Sequence, residues 1–231
     1  MKKPLTIIHI GLFFIIATLA FYPFPGWSAS STGSKAQTTT GGQQADLANK
    51  LSNQAKSLYL QGKFAEAEPL QRRVLVIMEK ALGKNHPSVA SNLNNLVLLL
   101  SLQGKYAEAE PISRRALAIN EKAHGKYHPL VAKNLDSYAA LLFAQGNYPE
   151  AEPPLRRSLS IMEKVYAGKD HPDVANTLHD LAMLLQAQGN DREAESLLRR
   201  ALEIDEKVLG REHPVTVRVR KNLDDLLNKM R

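Results

Sequence analysis

Residues 89–129 read VASNLNNLVLLLSLQGKYAEAEPISRRALAINEKAHGKYHP, and three short phrases within this stretch recur along the chain. The phrases are Gln-Gly at 61–62, 103–104, 145–146 and 188–189, Arg-Arg at 72–73, 114–115, 156–157 and 199–200, and His-Pro at 86–87, 128–129, 171–172 and 213–214. Successive copies lie 42 or 43 residues apart. A repeat of this length indicates stacked structural units that pack on their neighbours, so the repeat predicts the fold.

Each repeat contains two helical patterns. In the first helix, which follows His-Pro, apolar residues fall at spacings of four, three and four, and they therefore occupy one face. These residues are Val89, Leu93, Leu96 and Leu100, then Val131, Leu135, Tyr138 and Leu142, then Val174, Leu178, Leu181 and Leu185. The second helix follows Gln-Gly, and small residues near its start predict close approach of the two helices. They are Ala67, Ala109, Ala151 and Ala194.

The recurring His-Pro raises the question of a metal or catalytic site. Proline is favoured at the first position of a helix, so each proline predicts a helix start with the histidine at or beside the N-cap. Stacked helices lie about 8–10 Å apart, whereas a metal–nitrogen bond is about 2 Å long, so histidines on four repeats cannot share one ion. We therefore interpret His-Pro as a helix-start signal. Glycines after the helices, such as Gly83 and Gly104, are expected to have positive φ.

Residues 89–129 and their recurrences along the chain resemble the tetratricopeptide repeat, in the 42-residue form found in kinesin light chain. The resemblance implies an all-α fold, a right-handed α-solenoid of antiparallel helix pairs with a concave groove lined by the first helices. We expect four helix pairs plus a C-terminal capping helix, in repeats at about 45–86, 87–128, 129–171 and 172–213 with the cap at 214–231. The cap carries Arg220 where other first helices carry leucine, which suits a terminal helix with one polar side.

The N-terminal segment predicts export. Residues 1–30 begin with lysines, continue with a long apolar run and end with small residues, which is the order of a secretory signal peptide. The length of the apolar run leaves an uncleaved membrane anchor open. Both interpretations place the repeats outside the cytoplasm. A cleaved signal peptide would leave them periplasmic or secreted, and an uncleaved segment would anchor them in the cytoplasmic membrane. Residues 31–44 are rich in Ser, Thr, Gly and Gln, which predicts a flexible linker before the domain at 45–231.

The composition excludes several kinds of chemistry. The chain has no cysteine, so disulfides and thiolate-ligated metal sites are excluded. No sequence pattern of a zinc hydrolase, a serine hydrolase or a phosphate-binding loop occurs, and we expect no catalytic residue, no metal and no cofactor. The net charge is +7, and the first arginine of each doublet follows a glutamate by four residues, as in Glu110 and Arg114. This spacing favours intrahelical ion pairs over nucleic-acid contacts.

Polar residues on a second face of the first helices form the candidate binding site. They lie four, seven and eleven residues after each helix start, on a face distinct from the apolar stripe. The candidates are Asn49, Ser52, Lys56, Ser91, Asn94, Lys133, Asp136, Asn176, His179, Arg218 and Lys221, with Leu98, Ala140, Met183 and Asp225 at further eleventh positions. The resemblance implies that this face holds bound peptide, and asparagine amides both donate to and accept from an extended backbone. Because cations and amides predominate, we predict an acidic peptide or protein segment bound with a Kd of about a micromolar.

Two functions of other classes stay open beside this non-enzymatic protein–protein interaction scaffold. The first is self-assembly into an envelope structure, because the exposed side of the first repeat has no clear polar cap and could stack on another copy. The second, less favoured, is a hydrolase centred on His179 and the adjacent Asp180. No second cluster of histidines or acids stands at metal-ligand spacing, which weighs against that reading.

Overall fold

The computed structural model describes residues 40–231, and these residues contain no strand. They form nine α-helices in the order α1 (Thr40–Leu60), α2 (Phe64–Leu82), α3 (Pro87–Leu102), α4 (Tyr106–His124), α5 (Pro129–Ala144), α6 (Tyr148–Val165), α7 (Pro172–Ala187), α8 (Asp191–Val208) and α9 (Pro214–Met230). The prediction of an all-α fold with four helix pairs and a C-terminal helix is confirmed.

Helix α1 starts at Thr40, inside the segment that the sequence predicts as linker. Gln43 and Gln44 have high helix propensity, which allows the helix to extend ahead of residue 45. The predicted signal peptide or anchor, residues 1–30, lies outside the described residues. Within the range 40–231, no helix combines the length and apolar character needed to cross a membrane.

The described helices divide into an N-terminal body, residues 40–126, and a C-terminal body, residues 127–231. In the N-terminal body each helix packs on the next, from α1 through α4. In the C-terminal body the same order holds from α5 through α9. Each body is therefore a stack in which the most extensive contacts join helices that are neighbours in sequence, as expected of a repeat architecture.

The histidine of each His-Pro is the N-cap of the helix that follows, in α3, α5, α7 and α9. Its Nδ1 accepts a hydrogen bond from the backbone N–H two residues later, which satisfies one of the N–H groups that have no partner within the helix. The donor–acceptor distance is 3.1 Å at His86, His128 and His171, and 3.3 Å at His213. The interpretation of His-Pro as a helix-start signal is confirmed.

Glycine ends α2 and α4 in a conformation that side chains oppose. Gly83 has φ 88° and ψ 152°, and Gly125 has φ 86° and ψ 160°, a region populated almost only by glycine. The third repeat, which is one residue longer, differs: α6 ends at Val165, and Ala167 has φ 51°. The N–H of Gly168 donates to the carbonyl of Glu163 at 3.0 Å and closes this wider turn. The extra residue is thus absorbed at a helix end.

The core of each body consists of the predicted apolar stripes and small residues. The deepest leucines of the first helices are at most 1% exposed: Leu93, Leu96, Leu100, Leu178, Leu181 and Leu185. The alanines near the start of the second helices are fully buried, as close helix approach requires: Ala67, Ala109, Ala151 and Ala194. Burying one leucine contributes about 1.5–3 kcal/mol, so these stripes are the main source of stability in both bodies.

The Arg-Arg doublets make ion pairs of two kinds. The predicted intrahelical pairs are confirmed: Glu68–Arg72 at 2.8 Å, Glu110–Arg114 at 2.6 Å, Glu152–Arg156 at 2.7 Å and Glu195–Arg199 at 2.8 Å. A second set of pairs, which was not predicted from the sequence, joins second helices of neighbouring repeats. This set, here named the Arg–Glu ladder, comprises Arg72–Glu108 and Arg115–Glu79 in the N-terminal body and Arg156–Glu193 and Arg200–Glu163 in the C-terminal body.

Candidate peptide-binding site

The C-terminal body contains a pocket of about 420 Å³ between α5, α6, α7 and α9. Its walls are Phe143, Tyr148, Met183, Gln186, Ala187, Asn222 and Asp225. The rings of Phe143 and Tyr148 stand together, with centroids 5.0 Å apart and planes inclined by 49°. Because Met183 and Asp225 occupy the eleventh positions of α7 and α9, the pocket lies on the face that the sequence predicts as the binding surface.

Asn222 connects the pocket to two buried polar side chains, those of His179 and Asp180. Its amide nitrogen lies 2.8 Å from Nε2 of His179 and 3.6 Å from Sδ of Met183. Since the amide nitrogen donates, Nε2 accepts, and a neutral His179 ring carries its proton on Nδ1. That atom lies 3.5 Å from Oδ1 of Asp180. His179 is only 7% exposed, so it supports the pocket wall from behind and is not presented to solvent.

Two carboxylates beside His179, those of Asp180 and Asp205, are buried. Asp180 is 5% exposed and Asp205 is 1% exposed. Burial raises the pKa of Asp180, and a hydrogen bond from His179 together with attraction by Arg218 opposes the increase only in part. Burial also raises the pKa of Asp205 to about 6, against the opposing attraction of Arg218. Both groups therefore hold protons more tightly in the folded protein than in the unfolded chain.

Asp136 lies on α5 and is 6% exposed. Its Oδ2 accepts a hydrogen bond from the hydroxyl of Thr177 on α7 at 3.4 Å. Burial raises the pKa of Asp136 to about 8; the negative charge of Asp180 acts in the same direction, while hydrogen bonds from Ser158 and Thr177 act against it. At neutral pH, Asp136 is therefore largely a neutral acid inside the body.

The predicted groove residues of the C-terminal body fall into different environments. Met183 and Asp225 line the pocket, and His179 lies directly behind it. Lys133 lies 3.8 Å from Oδ2 of Asp173, so one of its contacts is an ion pair along the stack. Among the remaining candidates, Asp136 and Ala140 are buried, Asn176 and Arg218 are half-buried, and Lys221 is exposed.

The predicted residues of the N-terminal body show a similar gradation. Ser52 and Leu98 are buried, Asn49, Ser91 and Asn94 are half-buried, and Lys56 is exposed. In both bodies the exposure of a candidate side chain depends on its position after the helix start. The fourth position is half-buried in every first helix, whereas the seventh is buried at Ser52, Asp136 and His179. The face available to a ligand is therefore narrower than helical periodicity alone predicts.

Five residues of the pocket were not predicted from the sequence: Phe143, Tyr148, Gln186, Ala187 and Asn222. A usable signal existed for two of them, because Phe143 and Gln186 stand fourteen residues after Pro129 and Pro172, one step beyond the last position considered. Tyr148 belongs to a second helix, and Asn222 directly follows the candidate Lys221. Their convergence depends on how α6 and α9 pack, which the repeat pattern does not specify.

In the part of the chain that the structure describes, no three His, Cys, Asp or Glu side chains are placed to hold a metal ion. The arrangement that does occur is an apolar pocket with a polar rim, beside a row of half-buried amides and cations. Such a surface can hold an extended chain by inserting one side chain and contacting the backbone with amides.

A model of the tetratricopeptide repeat matches residues 46–122, 89–164, 137–207 and 173–229. The chain belongs to the tetratricopeptide repeat family. It is similar to a solved structure from Podosopora anserina, the crystal structure of "kinesin light chain nearly identical TPR-like repeats". The two chains are 25% identical with a TM-score of 0.68, and the match covers 81% of this chain and 87% of that one. It also resembles BtubC (BKLC) from P. vanneervenii, with 22% identity, a TM-score of 0.67, and coverage of 78% and 70%.

These neighbours confirm the resemblance to kinesin-light-chain repeats that the sequence indicates. The comparison with curated proteins found no match. The second structure shares less than a quarter of its residues with this chain, so its likeness is one of fold.

Proposed function

We propose that this tetratricopeptide repeat protein is a non-enzymatic scaffold that binds a peptide or protein segment on the exposed face of its first helices. Repeats of this family mediate protein–protein interactions. The observation that supports a specific site is the pocket on that face of the C-terminal body, about 420 Å³ in volume. This volume falls in the range of about 300–1,000 Å³ typical of ligand pockets.

The chemistry beside the pocket favours an extended segment that carries acidic residues. Lys133, Asn176 and Arg218 occupy the half-buried fourth position of α5, α7 and α9. Two are cations and one is an amide, so this row presents mainly donors. Partly exposed ion pairs contribute about 0–1 kcal/mol each and weaken with salt. A Kd of about a micromolar is therefore expected.

This proposal is tested by recovering a binding partner from the host envelope and measuring its affinity for the wild-type protein, a double variant and a control variant. We expect the Lys133→Ala/Asn176→Ala variant to bind about tenfold more weakly with little change in melting temperature, because neither side chain belongs to the apolar core. The matched control is Arg199→Ala, which alters an exposed arginine of the doublets and should bind normally. Weaker binding of the control, with an unaffected double variant, would move the binding surface to the second helices.

The non-enzymatic part of the proposal is tested at His179. A screen of ester, peptide and phosphoester substrates is expected to show no turnover by the purified protein. Turnover that disappears in His179→Ala, while the variant keeps its fold by circular dichroism, would instead support the hydrolase alternative. The engagement of His179 with Asn222 at 2.8 Å favours the structural role.

We also propose that the repeats function outside the cytoplasm. The support is the sequence of residues 1–30, with lysines before a long apolar run. Mass spectrometry of protein from the native host distinguishes the two forms: a mature start near Ala29 or Ser31 indicates cleavage, and an intact Met1 in the membrane fraction indicates an anchor. Recovery of the full-length protein in the cytoplasm would contradict both.

Self-assembly is a second candidate function, favoured by exposed apolar side chains in the N-terminal body. Leu60 is 72% exposed and Val76 is 63% exposed. Sedimentation velocity at several protein concentrations tests this candidate directly. A sedimentation coefficient that rises with concentration, and that is restored to the monomer value by Leu60→Ser, would support it; a monomer at all concentrations would reject it.

A further inference from the structure

We propose that the pocket of the C-terminal body accepts a cationic side chain, lysine or arginine, of the bound segment. This inference rests on the proposed peptide-binding function and specifies the residue that anchors the peptide. It adds a basic anchor to a segment whose neighbouring residues are expected to be acidic. Three features of the pocket carry it: the apolar walls, the unpaired acceptors and the fixed amide of Asn222.

The walls suit a long aliphatic stem. Phe143, Tyr148, Met183 and Ala187 supply apolar surface on three helices. Lysine and arginine bury their methylene stems along such surface while the charged end stays at a polar or wet site. Aromatic rings also attract cations, since the face of the ring carries partial negative charge. The walls alone would accept leucine equally well, so the polar groups of the pocket must distinguish the two.

The polar groups of the pocket are mainly acceptors. Among the described residues, the Asp225 carboxylate and the Gln186 amide have no hydrogen-bond or ion-pair partner. Lys221, one turn before Asp225 on α9, makes no ion pair in the same range of residues, so the carboxylate is not neutralised by its own helix. Asn222 uses its amide nitrogen on His179 and Met183, which leaves its carbonyl oxygen as the group available to a ligand.

These acceptors discriminate between classes of anchor. An uncharged apolar side chain would remove water from the Asp225 carboxylate without replacing its hydrogen bonds, which opposes binding. A glutamate or aspartate would meet like charge. A lysine ammonium or arginine guanidinium both neutralises the carboxylate and donates hydrogen bonds to it. Charge complementarity therefore favours a cation over the other two classes.

The test uses short capped peptides of the form acetyl-Gly-Asp-X-Asp-Gly-amide, in which X is Arg, Lys, Leu, Trp or Glu. Each peptide is titrated into protein labelled with ¹³C at the methionine methyl groups. Met183 lines the pocket and reports binding there, while Met162, which is fully buried in the same body, reports any general structural change. We expect the Arg and Lys peptides to shift the Met183 methyl signal with a Kd at least about fivefold lower than the Leu peptide.

The matched variant is Asp225→Asn, which removes one charge from an exposed residue and keeps its shape. It should abolish the preference for Arg and Lys over Leu and leave the Met162 signal unchanged. Stronger binding of the Leu or Trp peptide to the wild-type protein, or an undiminished cation preference in Asp225→Asn, would overturn the cationic anchor while the peptide-binding function stands. If no peptide shifts Met183, and a partner from the host binds Lys133→Ala/Asn176→Ala normally, the proposed binding face itself is wrong.

Discussion

Replacing Asp136 with asparagine should change how the stability of the protein depends on pH. Burial raises the pKa of Asp136 from its ordinary value of 3.8 to about 8. Between these values the folded protein keeps a proton that the unfolded chain has released. Because the folded state binds more protons, the free energy of unfolding falls as pH rises, and the stabilisation present at low pH is lost as pH approaches 8.

The magnitude follows from one proton. A difference of one bound proton changes the free energy of unfolding by about 1.4 kcal/mol per pH unit, or about 3 kcal/mol between pH 5 and pH 7. Asp180 and Asp205 also have raised pKa values, and they add to this slope in the same direction. Asparagine resembles the neutral acid in shape, so Asp136→Asn should remove the contribution of Asp136 and retain those of Asp180 and Asp205.

Urea unfolding at pH 5, 6, 7 and 8, followed by circular dichroism at 222 nm, measures this slope. We expect the urea midpoint of the wild-type protein to fall more steeply with pH than that of Asp136→Asn, so that the advantage of the variant grows with pH. Asp225→Asn, which changes an exposed carboxylate, should keep the wild-type slope. Equal slopes for Asp136→Asn and wild type, or a wild-type protein that gains stability from pH 5 to pH 7, would refute the reasoning.

Substitutions at three further positions test the fold by thermal and urea unfolding. Leu178→Ala, at a side chain with no exposed surface, should lower the free energy of unfolding by about 2–5 kcal/mol, and a loss below 1 kcal/mol would contradict a packed core there. His171→Ala removes the N-cap of α7 and should cost about 1 kcal/mol, whereas His171→Asn, which can still cap, should recover most of the loss. Gly83→Ala places a Cβ at φ 88° and should cost about 1–3 kcal/mol; an unchanged midpoint would show that this backbone conformation is not required.

The helices could be predicted from the sequence because their signals are local. The histidine before α3, the proline at its first position and the glycine after α2 act through contacts within a few residues. The apolar stripe could be predicted in the same way, since spacings of three and four place Leu93 and Leu96 on one face wherever the helix lies. Repetition strengthened each signal, because the same phrase recurs in the same order.

The candidate site could be predicted only in part. Periodicity correctly assigned Met183 and Asp225 to one face, but it does not specify how far a neighbouring helix covers that face. Asp136 and His179 were therefore predicted as groove residues and are in fact buried. Asn222 joins the pocket through a contact to a residue 43 positions earlier, and separations of this size depend on tertiary packing.

The Arg–Glu ladder affects how easily the number of repeats in such a chain can increase during evolution. Each second helix carries a glutamate near its start, the arginine doublet in its middle and a glutamate near its end. The first glutamate and the second arginine contact the preceding repeat, as Glu108 and Arg115 of α4 do, whereas the first arginine and the last glutamate contact the following repeat, as Arg156 and Glu163 of α6 do. A duplicated repeat would therefore meet its neighbours with complementary charges on both sides, without any compensating mutation. Tandem duplication of the gene segment would yield a matching interface at once, and the number of repeats could change in evolution more readily than the sequence of any one of them.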